Sequence, residues 1–180
     1  MTLFRPDDLK AYAAALLQAG GYSAAHAERT ADILVWANAR GADSHGVLRI
    51  PRYLEMVAQG SIDPVAAPTV ISQDGATGVI EAARAPGASA MVAAMDTAID
   101  IAARFNIGWC SARNITHAGA VGYFALRAAE RGYIGIVMTA SGPLMAYHGA
   151  KVSGLSTNPI SIAAPSTSLP LLLDMSTSTV

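Results

Sequence analysis

Asp43-Ser44-His45-Gly46-Val47-Leu48-Arg49-Ile50-Pro51-Arg52-Tyr53 gathers an imidazole, two guanidiniums and a phenol in eleven residues of an otherwise sparsely charged chain. In a helical register His45, Arg49 and Tyr53 stand at successive i, i+4 positions and share one face. An Arg four residues from a His suits a recurring chemistry, in which the guanidinium grips a carboxylate bidentately while a base works on the adjacent carbon. A 2-hydroxy or 2-oxo acid requires that arrangement. The plainer reading has His45 completing a cap and Arg49 and Arg52 as solvated charges. Ser44 is placed to cap a helix, and Pro51 is either its kink or the first residue of a shorter helix ending at Gly60.

A second candidate is His117, in Arg113-Asn114-Ile115-Thr116-His117-Ala118-Gly119-Ala120-Val121-Gly122, at the turn between a predicted strand and a predicted helix. Loops at strand ends hold reactive groups, and a helix N-terminus lowers the pKa of a neighbouring histidine toward the proton-accepting form. Helix capping accounts for the same residue equally well. A third cluster is Leu155-Ser156-Thr157-Asn158-Pro159 with Asp174-Met175-Ser176-Thr177-Ser178-Thr179. Small hydroxyl and amide side chains after strands bind ribose or phosphate, and they are also ordinary turn residues. His26 falls in the first turn of a predicted helix and is expected to be exposed or capping, without a chemical role. His148 lies in a glycine-containing turn and is unassigned. The four histidines and Cys110 are too far apart to form a metal-ligand pattern by spacing.

The elements that must position these residues begin with two helices. One follows Pro6, with Leu9, Tyr12, Ala13, Leu16 and Leu17 at helical period and a stop at Gly20-Gly21; the other is capped by Ser23 and runs to about Ala39, with Ala27, Ala31, Leu34 and Val35 inward. Residues 61–74 read as a linker with one strand at Thr69-Val70-Ile71, which sets the expected domain boundary: a helical region at 1–74 and a sheet domain at 75–180. In the second part strands at Gly78–Ile80, Ile107–Ser111, Tyr133–Met138, Ile160–Ala163 and Leu171–Leu173 alternate with helices around Met91–Ala102 and after Gly119. Strand–helix–strand order suggests a parallel crossover. A Rossmann site is poorly supported, because G-x-G-x-x-G is missing and the nearest Gly pair is Gly119-Ala120-Val121-Gly122.

The 180 residues can bury a real core, and 52% of them are hydrophobic, with Ala and Gly carrying much of the apolar character. No uninterrupted apolar run is long enough for a membrane helix, and Arg5, Asp7, Asp8 and Lys10 break up any signal-peptide core. A net charge of −1 without a Lys/Arg cluster argues against nucleic acid. A single cysteine suits a reducing compartment, so the expected location is cytoplasmic. The run of hydroxyl residues up to Val180 carries no stop signal, and the sequence is expected to be the front part of something longer.

Taken in order, Asp43-Ser44-His45-Gly46 with Arg49, Pro51, Arg52 and Tyr53, Arg113-Asn114 with His117, Gly119 and Gly122-Tyr123, Thr157-Asn158-Pro159, and Leu173-Asp174-Met175 with Thr177-Ser178 resemble the malate/L-lactate dehydrogenase family. These are NAD(P)-dependent oxidoreductases distinct from the Rossmann-type enzymes, and they include ureidoglycolate and sulfolactate dehydrogenases and cyclic imine reductases. The resemblance implies a mixed α/β, non-Rossmann fold with a helical region on a cofactor-binding sheet domain, incomplete in this chain. It implies NAD or NADP as cofactor, a small 2-hydroxy/2-oxo acid as substrate, no metal, and a homodimer that completes each site. By the same resemblance His117 is the catalytic acid/base with His45 and Arg49, and Ser44, Arg49 and Tyr53 face the substrate. Ser141, Asn158, Asp174, Met175 and Ser176 contact the cofactor. The chain departs from the family at Ala118, Ala140, Tyr147-His148, Leu155-Ser156 and the segment from Gly75 to Ala85. The alternative expectation is a non-catalytic fragment or binding module without a complete cofactor site.

Overall fold

The computed structural model describes residues 3–176; Thr177, Ser178 and Thr179 of the hydroxyl run lie outside them. Packing divides the chain into the compact units Met1–Ala120 and Val121–Val180. Residue 74, the expected boundary, lies between two strands that pair with each other.

The first unit opens with α1 (Pro6–Ala19), in which Pro6 occupies the tolerant first turn and Asp7 and Asp8 complement the positive helix end. Gly20 closes it through its N–H to the carbonyls of Leu16 and Leu17. Leu17 and Ala13 are buried as the helical period predicts, whereas Tyr12 is 64% exposed, so the apolar face is narrower than expected. In α2 (Ala24–Asn38) the Ser23 hydroxyl accepts the His26 N–H at 3.3 Å, the predicted cap. Leu17, Tyr22, Ala27, Ala31 and Leu34 then form one apolar cluster with Ile50 and Tyr53 of α3 (Ile50–Ala58).

His26 is a correction. It is buried, with Nδ1 2.7 Å from the Ser89 hydroxyl and Nε2 3.0 Å from the Ala66 carbonyl oxygen. Its partners lie 63 and 40 residues away, so a local helical pattern carried no sign of them. They make His26 a tie between α2, the linker and α4 (Gly87–Phe105).

β1 (Thr69–Asp74) pairs antiparallel with β2 (Thr77–Glu81), which pairs parallel with β3 (Trp109–Arg113). The predicted crossover therefore exists here: α4 connects β2 to β3 and packs on both strands. Asn106, in the left-handed region at φ 65°, ends α4 and turns the chain into β3.

In the second unit α5 (Gly122–Ala129) packs on a sheet that is antiparallel throughout, with β7 (Ile160–Ala164) between β4 (Gly135–Met138) and β8 (Leu171–Met175). A short hairpin of β5 (Met145–Ala146) and β6 (Ser153–Leu155) was not legible in the sequence, since strands of two and three residues leave no alternation to read. Parallel pairing in one unit and antiparallel pairing in the other make the chain a mixed α/β protein.

Candidate active site

The stretch from Asp43 to Tyr53 is not one helix. Two 3₁₀ turns, Asp43–His45 and Val47–Arg49, flank an extended Gly46 and lead into α3, where Pro51 sits in the first turn. Ser44 does not cap; its hydroxyl lies 3.0 Å from His45 Nδ1. The i, i+4 register is therefore broken at Gly46, yet His45 and Tyr53 still reach one point, the ring of His117.

Asn38, which the sequence reading missed, builds this loop. At the end of α2 its Oδ1 accepts the Val47 N–H at 2.9 Å while its Nδ2 donates to Asp43 Oδ1. A Cβ on Gly46 would collide with the Asn38 side chain, so only glycine lets the loop approach this closely. Arg49 fastens the loop again, its Nε donating to the Ser44 carbonyl at 2.6 Å.

His117 is open to solvent over much of its surface, but its Nδ1 lies 2.8 Å from the Tyr53 hydroxyl. The His45 ring stacks against it, with centroids 5.7 Å apart and planes 26° apart. Tyr53 is buried, which raises its pKa to about 12 and keeps it a neutral phenol. His117 is pushed down to about 4, first by desolvation of the imidazole, then by the Arg49 guanidinium and by His45. At neutral pH it is an uncharged imidazole with one nitrogen committed to Tyr53 and the other left for chemistry. Together these groups set a neutral histidine beside a fixed cation.

This shift fixes a pH dependence. The folded pKa lies below the ordinary value of 6.5, so between pH 6.5 and about 4 the unfolded chain binds a proton the folded chain refuses. Stability present above that window is lost on acidification through it, and His26, lowered chiefly by burial, acts in the same direction. Urea midpoints measured from pH 7 to pH 4 should fall, and should fall less steeply in a His117→Asn variant.

Backbone contact sets where the histidine loop lies. Gly87, at the start of α4, faces the carbonyls of Thr116 and His117 so closely that a Cβ there would collide with the His117 peptide. Thr116 adds a bond from its hydroxyl to the Ala85 carbonyl at 3.0 Å. Gly87→Ala is expected to displace the loop at a cost of about 1–3 kcal/mol, the range for overpacking a well-filled interior, read as a lowered denaturation midpoint.

In the second unit Ser156, a member of the third cluster singled out in the sequence and a departure from the family pattern, is the hub. Its buried hydroxyl takes the N–H of Ser141 at 3.0 Å and of Asn158 at 3.3 Å and lies 2.9 Å from the Ser141 hydroxyl. The expected residues Ser141 and Asn158 are thus brought together on exposed loops held from beneath. Asp174 on β8 accepts the Gly122 N–H at 2.9 Å and anchors the start of α5. Met175 and Ser176 follow it, both exposed. Exposed hydroxyl and amide groups on pinned loops fit the sugar or carboxamide edge of a dinucleotide. Among the described residues, no three His, Cys, Asp or Glu side chains converge as a metal site, and no helix is long and apolar enough to cross a membrane.

A family model described as malate/L-lactate dehydrogenase matches residues 4–180. The malate dehydrogenase of Pyrococcus abyssi is 38% identical over 174 residues, covering 97% of this chain and 48% of that protein. The L-sulfolactate dehydrogenase of Methanocaldococcus jannaschii is 33% identical, over 99% of this chain and 52% of that one. Among solved structures, malate dehydrogenase from Pyrococcus horikoshii superimposes with a TM-score of 0.95 at 38% identity, over 99% of this chain and 51% of that chain. The chain spans about half the length of the curated relatives it matches. With its sequence matched almost from end to end and its fold shared with solved members, the chain belongs to the malate/L-lactate dehydrogenase family.

Proposed function

We propose that the chain carries the acid/base and substrate-holding part of an NAD(P)-dependent dehydrogenase that interconverts a small 2-hydroxy acid and its 2-oxo acid. The observation that carries this reading is the Tyr53–His117 contact at 2.8 Å beside Arg49 and His45. In the oxidising direction the neutral His117 takes the substrate hydroxyl proton, and in reduction it returns one. Arg49 holds the substrate carboxylate, and His45 and Ser44 line the same side. Tyr53 keeps the His117 ring oriented.

When bound, a nicotinamide cofactor supplies or accepts the hydride. Ser141, Asn158, Asp174, Met175 and Ser176 are the residues that would hold it, with Ser141 and Asn158 supported by their placement on Ser156. In this reading residues 1–74 bear substrate-side groups and residues 75–180 belong to the cofactor-binding region. The family resemblance supports a homodimer, and the single cysteine supports a reducing, cytoplasmic setting. Malate, lactate and sulfolactate are the substrate types to try first, given the relatives' names.

A second reading, a binding module without a complete cofactor site, is favoured by the chain's spanning about half of its relatives' length. NADH and NADPH fluorescence on adding the chain, with and without a panel of small 2-oxo acids, separates the two. Binding followed by oxidation of the cofactor supports the dehydrogenase. Absence of cofactor binding supports the module.

A further inference from the structure

A small cavity is lined by residues that include Tyr22, Thr30, Tyr53 and His117. Its volume is about 10 Å³, the room a single water needs. Tyr22 and Thr30 are only 4% and 3% exposed, and the Tyr22 hydroxyl and Thr30 Oγ1 have no hydrogen-bond partner in the protein. A helical threonine normally satisfies its hydroxyl on the carbonyl four residues back, which here belongs to His26; Thr30 does not use it. Tyr22 and Thr30, each with an orphaned hydroxyl, both line this water-sized space; an unsatisfied buried hydroxyl is costly, and one bridging water would satisfy both. Burial chiefly, and then the neighbouring Tyr53 phenol, raise the cost of ionising Tyr22.

We propose that Tyr22 and Thr30 hold one buried water that donates to the Tyr53 hydroxyl oxygen, so that Tyr53 in turn donates to His117 Nδ1 and the ring carries its proton on Nε2. In this arrangement both hydroxyls donate to the water, which leaves its two hydrogens as donors, one of them for the hydroxyl oxygen of Tyr53, a residue lining the same cavity. A phenol that accepts from the water turns its own hydrogen to Nδ1. Tyr22 and Thr30 are then positioning residues that act on His117 through the water and Tyr53. Their catalytic significance rests on the acid/base reading of His117; the water and the tautomer do not.

The test is imidazole ¹⁵N NMR on the chain itself, which needs no turnover and so fails separately from the dehydrogenase reading. The expected result is His117 protonated at Nε2 with Nδ1 as acceptor, and water cross-peaks to slowly exchanging Tyr22 and Thr30 hydroxyl protons. Thr30→Val, which keeps the shape and removes the hydroxyl, is expected to shift the tautomer ratio toward Nδ1–H by about 2- to 12-fold, the effect of one neutral hydrogen bond on an equilibrium. Thr30→Ser should restore the ratio. Tyr22→Phe provides the second arm and should shift it in the same direction. A parent His117 protonated at Nδ1, or variants whose His117 signals match the parent, would overturn the proposal.

Discussion

Under the proposed function, replacing His117 with Asn is expected to cut dehydrogenase turnover by roughly 10²–10⁴-fold, the scale of losing a general acid/base. Asn keeps a polar side chain at the end of a short stem but cannot exchange a proton near neutral pH. The fold should survive, because His117 is held by one side-chain bond to Tyr53 and by backbone packing against Gly87, and the latter is indifferent to the side chain. Cofactor affinity should change little. Steady-state kinetics with a fixed nicotinamide concentration check this, and turnover within about threefold of the parent would remove His117 from the proposed role.

Arg49→Ala should raise the KM for the acid substrate by about 10- to 150-fold, the range for losing a charge-assisted hydrogen bond. The geometry says which part of the guanidinium is at stake. Nε is committed to the Ser44 carbonyl, which leaves the edge formed by the two terminal nitrogens, the one that matches a carboxylate. Lys at this position should not rescue affinity, since a point charge can neither brace the Ser44 loop nor grip two oxygens in a plane. The same variant reports on His117 independently. Removing the neighbouring cation should move its titration midpoint upward from about 4, although not fully to 6.5, because desolvation is the larger cause and His45 remains.

How much of this the sequence carried depended on how local each feature is. The cap at Ser23, the end of α1 at Gly20 and the helical period of α2 lie within a few residues of what they determine, and they were legible. His45, Arg49 and Tyr53 were gathered by an i, i+4 argument whose geometry did not hold, since Gly46 interrupts the helix. They belong together because Asn38, Gly46 and the Arg49–Ser44 bond fold the loop toward His117. Such contacts leave no period behind. His26 was misread for the same reason, its partners being distant in sequence. Tyr22 and Thr30 carry no mark in the sequence, and only their orphaned hydroxyls and the cavity distinguish them. Ser156 was visible as one hydroxyl of the third cluster and as a departure from the family pattern, but its buried bonds to Ser141 and Asn158 were not.

In the proposed function, catalysis turns on His117 working as a neutral base whose pKa is pushed down by desolvation, Arg49 and His45. The most direct measurement is the pH dependence of kcat/KM for hydroxy-acid oxidation, which reports the free enzyme's essential base. The parent enzyme should hold its rate from neutral pH down to about pH 5 and fall tenfold per pH unit below a midpoint of about 4, the value the site gives His117, and His117→Asn should lack that limb. An acid limb that persists in His117→Asn, or a parent midpoint near 6.5, would contradict it.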